Sequence, residues 1–278
     1  MGAGEFTMVA FAVSVLAGLI GSLTGLGGGV VVIPALVLLL GVDMKYAIGA
    51  SLVSVIATSC GAAASFVRDG LANIRVGMGL EIGTVAGALA GASLAHWIPS
   101  AGLSILFGAI VLFIVVTSGR GRAHGDGAKG PDRPRWVDRL GLDGTFEENG
   151  QVVAYRVAHL PGGLAMMGVA GVVAGLLGVG AGTFKVIALD RIMGLPLKVS
   201  TATSNFMIGV TAAASAGIYL NHGYLDPVVA FPVMLGVLVG AFTGARLLPA
   251  AKPVALRWLC HGVLAVAGVQ MIYQGLHR

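Results

Sequence analysis

The sequence predicts an all-α polytopic membrane protein made of two inverted-topology repeats, each with a broken or re-entrant helix at a glycine-rich motif. Three observations lead there. Of 278 residues, 56% are hydrophobic and only 10% charged, and the mean hydropathy is +0.92. A soluble domain carries roughly 25% charged residues, and one globule of this size could not hide so much apolar surface, so the solvent is largely lipid. The apolar runs lack the alternation of barrel strands and extend for about 18–22 residues, the length of a helix that crosses a bilayer. Finally, the chain repeats itself: at one constant offset its halves align without a gap from about Ala17 to Leu94.

The elements follow in order. The opening "MGAGEFT" reads as a vector-derived leader and is set aside, and the apolar run after Met8 has no charged n-region, so a cleaved signal peptide is not expected. The first repeat, 8–118, reads as an apolar segment over 8–24, a shorter one over 28–41, and spans over 46–67, 76–97 and 101–118. The second, 160–278, reads as 160–177, a short 182–194, then 198–220, 227–248 and 254–275. Asn73, Pro99, Asp226 and Pro253 suit the connections. The repeat aligns Gly25, Gly27 and Gly29 with Gly178, Gly180 and Gly182, and Ser51 with Ser204. It also aligns "GTVAGALAG", Gly83 to Gly91, with "GVLVGAFTG", Gly236 to Gly244. Small residues four apart let helix backbones approach closely in lipid, within one chain or between chains, so the oligomeric state stays open.

Between the repeats, 119–159 changes texture to Arg, Asp, Gly and Pro. It reads as a solvated connector, with a small β-hairpin in "TFEENGQVVAYRV" turning at Asn149-Gly150.

Charge distribution orients the repeats. The net charge of +5 and pI of about 9.5 follow from the Lys and Arg that membrane proteins concentrate in cytoplasmic loops; no basic face interleaved with aromatics points to nucleic acid. The short segment 28–41 spans about 21 Å as a helix, too little for a core of about 30 Å. If it folds back as a hairpin with 8–24, each repeat crosses an odd number of times and the halves are inverted. With the connector in the cytoplasm, that count puts Arg68, Arg75, Arg191, Lys198, Arg246, Lys252 and Arg257 inside, with Lys45 and Arg278 outside. One broken helix crossing once would instead send the last five of the inside group outward. The positive-inside bias favours inversion.

The glycine stretches "GLGGGVVVIP" and "GVGAGTFKVI" then acquire a purpose. Each precedes a short helix whose first N–H groups are unsatisfied and whose dipole is positive at that end. Two such ends converging near the midplane form a place for a small anion. The expected binding residues are Thr24, Gly25, Gly27, Gly28, Gly29 and Ser51 from the first repeat. From the second they are Gly178, Gly180, Gly182, Thr183, Lys185, Ser204 and Asn205. Lys185 lies deep in an apolar run where its repeat partner is Val32, and an intramembrane cation faces a cavity or a partner. Glu81 lies inside a span and is the foremost of four candidate proton carriers with His96, His222 and His261. Cys60 and Cys260 read as small buried hydrophobes. No Lys-Ser/Thr follows the glycines at P-loop spacing, and no His pair, Ser-His-Asp set or Cys-His pair suggests a metal, a cofactor or an enzyme. The drive is therefore expected from a proton gradient or the membrane potential.

At these residues the chain resembles the TauE/SafE sulfite exporter family. The pattern is "AGLIGSLTGLGGGVVVIPALVLLLGV" with "AIGASL" in the first half, and "AGVVAGLLGVGAGTFKVIALDRIMGLPLKVSTATS", "GYLD" and "GAFTGARL" in the second. The resemblance implies export of small sulfur-containing anions, sulfite or organosulfonates, across the bacterial inner membrane. By motif position it implies that the glycine stretches, Ser51 and Ser204 form the site. The second half departs from the pattern, with Ile187 in place of a proline, Ala181 in place of the middle glycine, and Lys185. The expected function is thus a secondary transporter working by alternating access, with a passive anion channel on the same scaffold as the alternative.

Overall fold

The computed structural model describes residues 3–24, 28–119, 141–148, 151–247 and 253–277. The first repeat comprises α1 (Ala3–Thr24), α2 (Gly29–Pro34), α3 (Met44–Arg68), α4 (Ile74–Trp97) and α5 (Ser100–Gly119). Strands β1 (Gly144–Glu148) and β2 (Gln151–Tyr155) follow. The second repeat comprises α6 (Leu160–Leu177), α7 (Gly182–Ile187), α8 (Leu197–Asn221), α9 (Pro227–Leu247) and α10 (Pro253–Leu276). Helix α1 runs back through the opening residues that read as a leader. Among the described residues four helices, α3 to α6, are each long and apolar enough to cross a membrane.

Both short helices continue into a π-helical turn, Ala35–Leu39 after α2 and Ala188–Ile192 after α7. Pro34 precedes only the first, so the wider turn cannot be a proline effect. Its recurrence at repeat-equivalent places makes it a property of the architecture, and such turns gather at functional sites.

Glycine stripes set the helix pairs. A Cβ on Gly87 would collide with the Gly168 carbonyl, and one on Gly91 with that of Val172. On the facing side, Gly171 and Gly175 lie against the carbonyls of Thr84 and Ala88. Residue numbers rise together, so α4 and α6 are parallel and touch backbone to backbone. Gly236 against Phe11 and Gly240 against Val15 make α9 and α1 a second parallel pair. Both stripes therefore serve contacts within the chain. By contrast α5 and α10 are antiparallel, with Gly108 against Gly268 and Gly275 against Ala101. Helices α3 and α8 are antiparallel too: Gly209 faces Ser59, and Gly49 faces Tyr224 just past the end of α8.

The short segment after α6 turns back. The Ala158 N–H, just before α6, donates to the Met193 carbonyl at the end of the π turn (3.0 Å), and a Cβ at Gly163 would meet the Met193 side chain.

The strands pair antiparallel from Gly144↔Tyr155 to Glu148↔Gln151; the expected turn at Asn149-Gly150 lies outside the described residues. Rather than standing free in solvent, this part of the connector is docked. Leu142, Phe146 and Val157 are buried with Val76 and Leu80 of α4, Met167 of α6, and Val199 of α8. Asn73 ties it down. Its Nδ2 donates to the Leu142 carbonyl and to the Tyr155 hydroxyl oxygen (both 2.9 Å), while its Oδ1 accepts from the Val76 N–H and caps α4. Burial raises the Tyr155 phenol above its ordinary pKa.

Candidate functional site

The chain reverses sharply after α6. Gly178 and Gly180 take φ of +65° and +67°, and Ala181 takes +47°, a region open to glycine and costly for a residue with a Cβ. The repeat partner of Ala181 is Gly28, which sits at φ −57° in ordinary helical backbone. The two stretches are thus equivalent in place but not in conformation.

The stretches meet. A Cβ on Gly29 would lie 2.6 Å from Ser51 Oγ and 3.0 Å from the Gly178 carbonyl oxygen. Ser51 Oγ donates to that same carbonyl (2.9 Å), so one hydroxyl of α3 bridges the start of α2 to the turn before α7. Val55 fills the space between, within 3.1 Å of a Cβ at Gly29 and 3.4 Å of one at Gly180. Ser204 Oγ, from α8, donates to the Gly182 carbonyl (3.3 Å). Ser51 and Ser204 are both fully buried. Asn205 is half-buried and gives an Nδ2 hydrogen to the Thr201 carbonyl. Thr183 is half-buried at the first turn of α7. Gly25 and Gly27 lie outside the described residues; Thr24 ends α1, and its side chain is not among those described.

A family profile of the sulfite exporter TauE/SafE matches residues 10–271. The chain belongs to the TauE/SafE family. It is a multi-pass membrane transporter protein, and the names of its family and relatives are those of transporters rather than of enzymes. It is 27% identical over 269 residues to "Probable membrane transporter protein YunE" of Bacillus subtilis, covering 94% of this chain and 95% of that protein. It is also 27% identical over 269 residues to "Probable membrane transporter protein YdhB" of the same organism, covering 96% and 100%. With "Probable membrane transporter protein ORF9" of Sinorhizobium sp it shares 25% over 236 residues, covering 85% and 80%. No solved structure is significantly similar.

One turn beyond the glycine seam of this TauE/SafE chain lies a charged cluster. Lys185, fully buried, donates from Nζ to Thr211 Oγ1 (2.6 Å). Thr211 Oγ1 stands 2.6 Å from Glu81 Oε1 and 2.8 Å from the Met207 carbonyl, either of which can take its single proton. Glu81 is 7% exposed, and its Oε2 has no hydrogen-bond partner. The structure thus links Lys185 and Glu81, which the sequence offered as separate candidates, through the Thr211 hydroxyl. Thr211 is absent from the sequence-derived site because a threonine within a helix also bonds its own backbone, as this one does to Met207.

A second polar cluster closes the end of α8. Lys45 Nζ donates to the His96 carbonyl (2.9 Å) and stands 5.1 Å from the Tyr224 ring centroid. His96 Nδ1 is 3.1 Å from the Tyr224 hydroxyl, and its ring centroid lies 4.3 Å from that of His222 with the planes tilted by 38°. A cavity of about 730 Å³ opens beside it, lined by Ser93, Gly217, Ile218, Leu220, Asn221 and His222. His96 and His222 therefore belong to this second group, about three turns along α8 from Thr211. Cys60 is exposed on α3 rather than buried. Among the described residues no three His, Cys, Asp or Glu gather as a metal site.

Proposed function

We propose that this protein is a secondary transporter that exports a small sulfur-containing anion, sulfite or an organosulfonate, across the bacterial inner membrane by alternating access. The anion is held where the two broken helices begin, by the first amides of α2 and α7 with Ser51 and Ser204. The observation that carries the reading is the seam: Gly29, Ser51 and the Gly178 carbonyl converge from opposite halves of the chain, and it is the absence of a side chain at the two glycines that permits so close an approach.

The repeats are inverted in this reading, and the broken helices re-entrant. Equivalent helices that run antiparallel, α5 with α10 and α3 with α8, are what a two-fold axis in the membrane plane generates. The return of Met193 to Ala158 suits a hairpin that enters and leaves by one side. The connector is cytoplasmic: Arg75, which reaches the Gly141 carbonyl (3.3 Å), lies at that end with Arg68, and Lys45 lies at the other. The inside-negative potential then assists exit of an anion by about 2.3 kcal/mol per charge per 100 mV.

Liposomes loaded with radiolabelled sulfite or methanesulfonate test this. A transporter gives saturable efflux and accelerated exchange when the same anion is present outside. Linear currents without exchange would identify the channel, and the absence of any flux would remove the substrate class.

A further inference from the structure

We propose that Glu81 is a proton-binding site that fills when the anion binds, with Lys185 as the ammonium that passes from one negative partner to the other. The inference rests on the transport reading above and adds its coupling.

The argument begins with charge. Glu81 comes from α4 in the first half, Lys185 from α7 and Thr211 from α8 in the second. At rest the cluster holds one positive and one negative group, both buried, bridged by one hydroxyl. Lys185 is one turn past Gly182, and Thr211 is two turns past Ser204, so seam and cluster share the same two helices. An anion entering the seam adds a second negative charge for a single cation. An uncompensated charge in the membrane interior is strongly unfavourable. Uptake of one proton from water by the carboxylate restores neutrality: the ammonium then pairs with the anion, and Glu81 is left as a neutral acid. The proton has a place to go, since Glu81 Oε2 is buried and has no partner.

Among the described residues no other charged group competes: on the helix of Glu81 itself, Arg75 reaches the Gly141 carbonyl and His96 the Tyr224 hydroxyl. Helix α6, packed along α4, carries no titratable side chain. On α8, Lys198 is exposed in the first turn, and Tyr219 gives its hydroxyl hydrogen to the Leu176 carbonyl. On α7 and its π turn, Asp190 and Arg191 lie beyond Lys185, toward the connector. Lys185 is the charged group that acts on Glu81.

The repeat supports a single proton. The partners of Lys185 and Glu81 are Val32 and Met234, while Thr211 matches Thr58. The equivalent place in the other half therefore keeps the hydroxyl and lacks both charges. One proton moves with each anion, so a sulfonate crosses without net charge and gains nothing from the membrane potential, whereas a sulfite dianion crosses with one negative charge whose exit the potential assists.

Calorimetry on the purified full-length protein tests this without a variant. Methanesulfonate is the probe because it keeps one charge throughout, whereas sulfite itself titrates near neutrality. Titrations in buffers of different ionisation enthalpy should show about one proton taken up per anion bound at pH 7 to 8. Affinity should fall about tenfold per pH unit where Glu81 is ionised in the free protein. In Glu81→Gln, which keeps the shape, binding should persist with no proton uptake and no pH slope. Lys185→Met should lose at least tenfold in affinity. Wild-type binding without proton uptake, or uptake that survives in a folded Glu81→Gln, overturns the inference and leaves the transport reading standing. If wild type binds neither sulfonate nor sulfite, the transport reading falls and takes this inference with it.

Discussion

The seam makes a quantitative prediction at Gly29. Its backbone is helical, so Gly29→Ala imposes no conformational strain and isolates sterics. The new Cβ would sit 2.6 Å from Ser51 Oγ, 3.0 Å from the Gly178 oxygen and 3.1 Å from Val55 Cγ2, all closer than the roughly 3.5 Å of a comfortable contact. Ser51 can rotate away, at the loss of its bond to Gly178, worth about 1 kcal/mol. The Gly178 carbonyl has less freedom, because the other side of Gly178 is already packed on Ile48. Overpacking of that kind costs about 1–3 kcal/mol. Gly29→Ala should therefore destabilise by roughly 2–4 kcal/mol, and Ser51→Ala alone by about 1 kcal/mol. In the double variant the hydroxyl clash is gone and the hydrogen bond is not lost twice, so the cost should fall short of the sum by about 1 kcal/mol. Thermal unfolding in one detergent, at roughly 2–4 °C per kcal/mol, resolves these differences. Strict additivity, or a neutral Gly29→Ala, would show that the two residues do not share a site and would remove the seam as described.

Three further outcomes follow from single contacts. Gly87→Ala should lower the melting temperature by several degrees, because its Cβ meets the Gly168 backbone, whereas Gly79→Ala on the same helix faces open space and should be neutral or stabilising by about 0.5–1 kcal/mol; equal melting points would contradict the parallel backbone contact of α4 and α6. Ala181→Gly should stabilise by about 1 kcal/mol by relieving the left-handed strain at φ +47°, and a lower melting temperature would refute it. Asn73→Ala should release the docked hairpin, read as faster amide exchange over 141–157, since it removes two donated bonds and the α4 cap; unchanged protection would mean that Phe146 and Val157 hold the hairpin without it.

What could be read in advance depended on how local its cause is. The spans were legible because length and apolarity are local, and the break at the second motif because Gly178 and Gly180 supply the positive φ that ends α6. The π turns were not: nothing in "ALVLL" or "ALDRI" distinguishes hydrogen bonds five residues apart from bonds four apart, and Pro34 misleads by occurring in one copy only. The docked connector was hidden by its own composition, where Leu142, Phe146 and Val157 are scattered among charges. The Glu81–Thr211–Lys185 bridge is hidden for a different reason. Glu81 and Lys185 are far apart in the chain, yet each is the charged member of a repeat pair whose other member is apolar, Met234 and Val32. Two departures from repeat symmetry, opposite in sign, are a readable signal of contact.

That asymmetry bears on how such a frame can move. Helices α4 and α6 touch through carbonyls and glycines, as do α1 and α9, so each pair has little freedom to separate or rotate without steric conflict and behaves as one body. Each body draws one helix from either half of the chain. The contacts between the stretches are of another kind: single hydroxyl bonds from Ser51 and Ser204, and aliphatic packing by Val55 and Ile208. Each such bond contributes only about 1 kcal/mol net, within reach of the binding energy of one anion. In the proposed alternating-access reading, opening runs through the seam, where α3 meets α8, and the Glu81–Thr211–Lys185 bridge is a polar link from the α4–α6 body to α7 and α8. On the proposed coupling, neutralising Glu81 weakens that link when the anion binds, so the charge balance that favours proton uptake would also loosen the contact between these helices.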